Sequence, residues 1–233
     1  MADINILIIG GGGGRSGTSS GYHHYNPGGG GEVKEFTITA KIGETSVTVG
    51  DAGATGTDNN DNSTDGGDSY FGELKANGGK RGRLYTAHNV VAGASGSGKT
   101  GGTGLTAATG GGGGDSAAGG NAPSSSVGGN GGAGTLKWGT YYGAGGGGKE
   151  TTYGAAGTGW QNAGRGGGCH NSPTQYFNAL KGLVKVKYLT AELECSGGDK
   201  TTDGDYTIHT FTENGTFEVL RIISSTGILL WWF

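Results

Sequence analysis

A chain of 233 residues with only 32% hydrophobic residues and 58 glycines cannot fill the core of a conventional domain of its length. Its formal net charge of −3 gives no electrostatic reason to expect nucleic-acid binding. No apolar run approaches the ~20 residues of a membrane-spanning helix. No secretion signal is visible either, because Asp3 stands where a positive region belongs and residues 4–9 are too short for an apolar one.

Residues 4–9, Ile-Asn-Ile-Leu-Ile-Ile, predict a buried strand that runs straight into glycines 10–14. A loop to Pro27 and glycines 28–31 follow. Residues 32–40 then alternate, with Val33, Phe36, Ile38 and Ala40 as apolar positions. Residues 45–49 alternate again after Gly43-Glu44, which predicts a hairpin. Residues 51–68 form a polar loop, 69–74 a short strand and 83–91 a further strand candidate.

From 93 to 168 the strand signals vanish, and 31 of these 76 residues are glycine. Ordering glycine costs more backbone entropy than ordering any other residue, so a folded segment of this composition needs a regular structure that compensates. Polyproline-II-type helices packed side by side do so, because without a Cβ their backbones approach closely and exchange N–H···O=C bonds. Collagen is excluded, since glycine does not recur at every third position and there are three prolines. The composition therefore predicts a bundle of short polyglycine-II helices.

Ordinary β sequence returns after Gly168. Residues 183–189 and 206–212 alternate, and Glu213-Asn214-Gly215-Thr216 reads as a hairpin turn into residues 217–220. The tail, residues 228–233, is the most hydrophobic segment, and exposed it would invite aggregation. It is expected to bury against the core or a neighbouring subunit. The resulting plan is mainly β: residues 1–92 and 169–233 supply two parts of a β-core, and 93–168 an inserted polyglycine-II bundle with long loops.

Several patterns invite chemistry. Gly93-Ala-Ser-Gly-Ser-Gly-Lys99-Thr100 matches the phosphate-loop pattern, but Gly101-Gly-Thr-Gly-Leu-Thr cannot sustain the helix that phosphate binding needs. Residues 58–68 are rich in carboxylates, yet an EF-hand register from Asp61 puts Gly72 where a bidentate Glu belongs. His23 and His24 are adjacent and lack a third ligand nearby, as does Cys169-His170. Cys169 and Cys195 either pair or remain thiols. His88, His170 and His209 lie in unrelated segments, with no nucleophile–base–acid set. No enzyme activity, cofactor or metal is expected.

Aromatic residues stand among the glycines. Tyr22, Tyr25, Trp138, Tyr141, Tyr142 and Trp160 are candidates for receptor contact, with Tyr153, Tyr176 and Phe177 nearby in sequence. Rigid aromatics on a stiff scaffold give contact area at low entropic loss, and the alternative is that the rings seal the edges of the glycine bundle. Tyr206, Ile208, Phe211, Phe217, Trp231, Trp232 and Phe233 are candidates for subunit assembly.

The succession of Ile6-Leu-Ile-Ile-Gly-Gly-Gly-Gly-Gly14, glycines 28–31 with Thr37-Ile-Thr, Val47-Thr-Val-Gly50, Gly67-Asp-Ser-Tyr-Phe71 and Ala76-Asn-Gly-Gly79 resembles the glycine-rich domain of bacteriophage tail and virion proteins. Gly182-Leu-Val-Lys-Val-Lys-Tyr188 and the stretch from Tyr206 to Val219 are similar to strands of such domains. The glycine-rich module of the anaplastic lymphoma kinase receptor family has a related succession, in which a TNF-like, jelly-roll-like sandwich carries a polyglycine-II bundle. Some tail-fibre adhesins also use such bundles, whose connecting loops read the host receptor.

The resemblance implies a virion protein, made in the host cytoplasm, that forms homo-oligomers (trimers by analogy) with other virion proteins. It would bind a host polysaccharide or outer-membrane protein, with no nucleic acid and no membrane insertion. One departure stands out: the 206–219 segment is expected before the first strand. It is either permuted within the chain or completes a neighbouring subunit's sheet.

Overall fold

The computed structural model describes residues 2–17, 25–57, 62–83, 91–105, 107–170 and 176–223. Among them run β1 (Asp3–Ile9), β2 (Val33–Thr39), β3 (Gly43–Thr48), β4 (Ser69–Phe71), β5 (Leu74–Ala76), β6 (Thr135–Lys137) and β7 (Thr140–Tyr142). They are followed by β8 (Gly168–Cys169), β9 (Tyr176–Phe177), β10 (Leu183–Leu189), β11 (Leu193–Ser196), β12 (Asp199–Asp203), β13 (Tyr206–Phe211) and β14 (Gly215–Ile222). Two five-stranded antiparallel sheets result, ordered β12-β13-β10-β1-β2 and β11-β14-β3-β4-β5, neither of them closed, and β6–β7 and β8–β9 form two further pairs. The five-stranded sheets face each other across one core, to which Ile4, Ile6, Val184, Val186, Tyr188 and Phe211 contribute from one side and Val47, Phe71, Phe217 and Val219 from the other. The fold is thus mainly β and sandwich-like, with no helix among the described residues.

The unbroken apolar run of β1 is explained by its position, since a strand covered on both faces need not alternate. It sits between β10 and β2. Ile4, Ile6 and Ile8 enter the inter-sheet core, while Leu7 and Ile9 face outward into a second cluster with Tyr142, Leu183, Val33 and Trp138. The outer cover is the β6–β7 hairpin, so residues 93–168 are not free of strands as the composition predicts.

The hairpin turns on Trp138 and Gly139, at φ 47° and 77°, the positive values that a two-residue primed turn requires. A bulky residue is disfavoured there. Trp138 is held by its Nε1–H donating to Glu35 Oε1 at 2.8 Å and by contact with the outer cluster. Lys137 Nζ reaches Glu35 Oε2 at 2.8 Å, and these two hydrogen bonds, the lysine's first, hold the Glu35 carboxyl below its usual range.

Two turns differ from the hairpins predicted for them. β2 and β3 lie in different sheets, as do β13 and β14, so the chain crosses between sheets at residues 40–42 and 212–214, and Gly43-Glu44 and Gly215 already belong to β3 and β14. Alternation marks which residues face inward but not which strand is the neighbour. Asn214 Oδ1 accepts from the Val49 N–H at 2.8 Å, fixing the second crossing. Residues 69–74 fold back as β4 and β5 around Gly72-Glu73, with Phe71 opposite Leu74. β13 pairs with β10 and β12, and β14 with β11 and β3, all within the one chain. The strand candidate at 83–91 falls largely outside the described residues.

Beyond the strand ends, the hydrogen-bonding period changes from two to three. Gly10, Gly13 and Ser16 donate to the carbonyls of Glu32, Gly29 and Asn26, Gly11 and Gly14 to those of Gly67 and Thr64, and Gly12 to that of Leu180. Farther on, Gly128, Gly131 and Gly134 donate to Thr152, Ala155 and Thr158, while Gly129 and Gly132 donate to Thr109 and Gly112. Successive N–H groups therefore serve different neighbours, which a pleated strand with its two opposed edges cannot do. The spacing leaves no room for side chains: a Cβ on Gly12 would stand 1.7 Å from the Arg165 oxygen, and one on Gly30 1.9 Å from the Gly143 oxygen.

One polar pair is buried in the sandwich. His209 Nδ1 meets the Gly197 carbonyl, a pure acceptor, so this nitrogen carries the hydrogen. Nε2 then accepts from the Tyr188 hydroxyl at 2.9 Å. Burial holds the imidazole pKa below its ordinary 6.5 and pushes the Tyr188 phenol up.

Two predictions follow from these contacts. Gly30→Ala overpacks the network and lowers the unfolding free energy by about 2–3 kcal/mol or more. Gly120→Ala, whose Cβ would meet nothing closer than Asn130 N at 3.3 Å, costs less than about 1 kcal/mol, as urea titrations of the two variants will show. Because the unfolded chain binds the His209 proton more readily, stability falls as pH drops below 6.5 toward the folded-state pKa, by at most ~1.4 kcal/mol per pH unit. His209→Gln removes that slope, measured as unfolding midpoints between pH 4 and 8 (roughly the window in which histidine titrates).

Candidate ligand-binding surface

The aromatic residues gather around the short β8–β9 pair, in which Cys169 lies opposite Tyr176 and Gly168 opposite Phe177. Neighbouring side chains on a strand point to opposite faces, so Tyr176 and Phe177 organise two groups. On the Phe177 side, Trp160 stacks on His170 at 4.7 Å and 19° and lies 5.1 Å from Phe177. Arg165 covers Phe177 at 4.6 Å and donates through Nη1 to the Trp160 carbonyl and through Nε to that of Asn178. Its hydrogen bonds are therefore made within the protein.

On the Tyr176 side, the Tyr25 ring meets Tyr176 edge-on at 5.2 Å, and Tyr153 meets it at 6.2 Å. The neighbouring Tyr176 hydroxyl, with burial, raises the Tyr153 phenol, and Tyr176 is raised chiefly by burial. Two cations share these rings: Arg15 lies 4.4 Å and Lys149 Nζ 4.8 Å from the Tyr25 centroid, and 5.6 and 5.4 Å from that of Tyr176. They can be no farther apart than the first two distances together. At such a separation two like charges repel by about 2 kcal/mol at an effective dielectric of 20. Among the described residues no carboxylate pairs with either cation, and Arg15 Nε and Nη1 are buried without an acceptor.

Cys169 sits beneath this group. Its Sγ–H points to the Gly148 carbonyl at 2.8 Å, and burial pushes its pKa up to about 12 against the opposing pull of Lys149 and Arg15. Cys169 and Cys195 are both buried and unpaired, which resolves the alternatives left open by their spacing. Buried thiols of raised pKa are poor nucleophiles.

The other predicted contact residues are placed differently. Trp138 pins the outer hairpin to β2, and Tyr142, at 4% exposure, belongs to the cluster beneath that hairpin. Tyr141 is 39% exposed, and its carbonyl accepts from Asn162 Nδ2, which brings it next to the Trp160 turn. Of the assembly candidates, Phe211 and Phe217 lie in the chain's own core. Ile208 is half-buried on β13, and Tyr206 is exposed beneath Lys187 at 4.4 Å. Tyr22, Trp231, Trp232 and Phe233 lie outside the described residues, as do His23, His24 and His88.

In the phosphate-loop match, residues 95–99 close on themselves: Lys99 N donates to Ser95 Oγ, Ser95 N to the Lys99 carbonyl and Gly98 N to that of Ser95. Gly96 N is engaged by Gly30, and residues 100–105 contain no helix. Of the acidic loop, Asp65 is bound by Lys80 and Arg81, and Asp68 by Lys75 and Gly78; these contacts depress both carboxyls despite burial.

Arg15 and Lys149 were not predicted, and since they stand 134 positions apart no local motif joins them. The available signal is their position, each being the first residue after a glycine run, 10–14 and 145–148. No curated protein and no solved structure matches the chain. The family model of a glycine-rich domain, however, matches residues 1–189, so the chain belongs to the glycine-rich domain family.

Proposed function

We propose that the protein is a structural component of a bacteriophage virion, a tail-fibre or tail-tip adhesin whose role is binding and not catalysis. In this reading the three-periodic glycine segments are polyglycine-II helices, with three residues per turn as in other polyproline-II structures. They form an inserted bundle that presents recognition residues to the host surface. The observation that carries the proposal is the aromatic–cation group around β8–β9: several half-buried rings and two unpaired cations mounted on a backbone network that cannot flex without breaking hydrogen bonds. Rigid aromatic anchors of this kind dominate binding energy in recognition surfaces. Many copies on one particle would convert modest single-site affinity into strong adsorption.

The experiment is adsorption of the purified protein to a panel of bacterial strains. Trp160→Ala and Tyr141→Ala are expected to lower adsorption at least tenfold without changing the thermal midpoint by more than a few degrees. Failure of the unaltered protein to adsorb to every strain would sink the adhesin reading.

A second reading, a protein that assembles or decorates a capsid or fibre, is favoured by one apolar patch. Ile42, Leu220, Ile222 and Ile223 are 68%, 47%, 39% and 37% exposed. The β3–β14 register, with Gly43 opposite Val219, brings Ile42 beside Leu220. Under this reading Leu220→Asp with Ile222→Asp yields monomers by sedimentation where the unaltered protein is oligomeric, and an unchanged oligomer counts against it.

A further inference from the structure

We infer that Arg15 and Lys149, framed by Tyr25, Tyr153 and Tyr176, form a binding site for an acidic saccharide, a sugar bearing a carboxylate or sulfate group. The inference names the ligand of the adhesin reading and rests on it. Three observations converge.

The first is charge without a counter-ion. Arg15 and Lys149 stand over the same two tyrosine rings, 4.4 and 4.8 Å from Tyr25 and 5.6 and 5.4 Å from Tyr176. No described carboxylate pairs with either, and the flanking stretches 18–24 and 171–175 contain no Asp or Glu in their sequence. The second is unmet hydrogen-bonding capacity. Arg15 Nε and Nη1 are buried and donate to nothing in the protein. The Lys149 ammonium has ring contacts but no acceptor among the described residues. A planar guanidinium and an ammonium gathered at the same two rings suit an anionic ligand, the first through its fork of donors and the second as a point charge.

The third is the aromatic frame. Tyr25 and Tyr153 both meet Tyr176 edge-on, at 61° and 77° between planes. The Tyr153 ring, over which no cation stands among the described residues, offers a face to the C–H side of a pyranose while the charged substituent reaches the cations. The Tyr153 and Tyr176 phenols, both raised in pKa and therefore neutral near pH 7, add hydroxyl donors and acceptors for sugar hydroxyls without adding a repelling negative charge. Beneath them the site is rigid, because Arg15 closes one glycine run whose amides donate to residues 29, 32, 64, 67 and 180, and Lys149 closes another whose amides donate to residues 28, 129, 132 and 169. The backbone fixes where the two cationic side chains begin, and the tyrosine rings they meet carry no formal charge, which leaves the charge of both available.

The test uses the full chain and four immobilised probes of matched length: polygalacturonate, its fully methyl-esterified form, a sulfated dextran and poly-glutamate. Polygalacturonate is expected to be retained, with binding that weakens as salt rises. Lys149→Gln is expected to reduce it at least tenfold, and Arg15→Gln with Lys149→Gln to abolish it. The methyl ester, which keeps the sugar and loses the charge, is expected to bind at least tenfold more weakly, and so is poly-glutamate, which keeps the charge and loses the sugar. Lys149 is partly exposed, so its substitution leaves the fold intact even if Arg15→Gln does not.

Equal retention of poly-glutamate overturns the saccharide assignment, because the site is then a simple anion patch. Equal retention of the methyl ester, or unchanged binding by Lys149→Gln, overturns the charge assignment. So does failure of polygalacturonate and the sulfated dextran alike to bind. Adsorption to bacterial cells separates the two levels: cells bound equally by Lys149→Gln keep the adhesin reading and overturn this site, whereas polygalacturonate binding without adsorption to any strain keeps the site and removes the adhesin reading.

Discussion

Close contact between backbones, possible only where no side chain intervenes, is the constraint on which the rest of this structure depends. In an ordinary domain, burial of apolar side chains offsets the entropy of ordering the chain. Here most of the glycine segments bury no side chain, and what they gain is a dense set of N–H···O=C bonds, nearly all between residues far apart in sequence. Such a network tolerates no partial occupancy. A methyl group at Gly12 would overlap a carbonyl oxygen, and the displaced segment would strip partners from several neighbours at once. The choice of glycine is therefore dictated by packing at these positions, not by a need for unusual backbone angles.

The sandwich and the glycine network are one piece of architecture because the strands run into it. β1 continues into residues 10–17 and β3 into residues 50–56, while residues 26–32 lead into β2. The junction is marked by Ser69, whose buried hydroxyl donates to the Ile9 carbonyl and accepts from the Gly50 amide. A second tie is the β6–β7 hairpin, which leaves the network to cover the outer face of β1 and is held there by Trp138 and Lys137 on Glu35. The apolar core thus gives the glycine segments fixed starting points, and the network in turn shields the strand that the core could not cover from both sides.

The sequence discloses those features that depend on a residue's own neighbours and conceals those that depend on distant ones. β1, β2, β10 and the inward faces of β13 and β14 follow from alternation and apolar runs. The crossings at residues 40–42 and 212–214 do not, since the same turn residues and the same alternation serve a hairpin or a crossing between sheets. β12 carries no apolar residue and exists only as an edge paired to β13. β6 and β7 are visible in retrospect as short runs on either side of Trp138-Gly139, masked by the glycine around them. In the candidate site, Tyr25 and Trp160 were recognisable as aromatics among glycines. Arg15 and Lys149 became partners only through the folding of the glycine runs that precede them.

The sequence distance spanned by the glycine contacts has a bearing on how the chain reaches this state. Gly12 finds its acceptor at Leu180, Gly28 at Gly167 and Gly31 at Gly164. Folding rates fall as contacts become less local, and a ribosome delivers residues at roughly 5–20 per second. The first glycine run is therefore made many seconds before its last partner emerges, and must stay solvated, unpaired and unaggregated in the meantime. Glycine is suited to that interval as well, because a run with no side chains offers no apolar surface for misassembly while it waits.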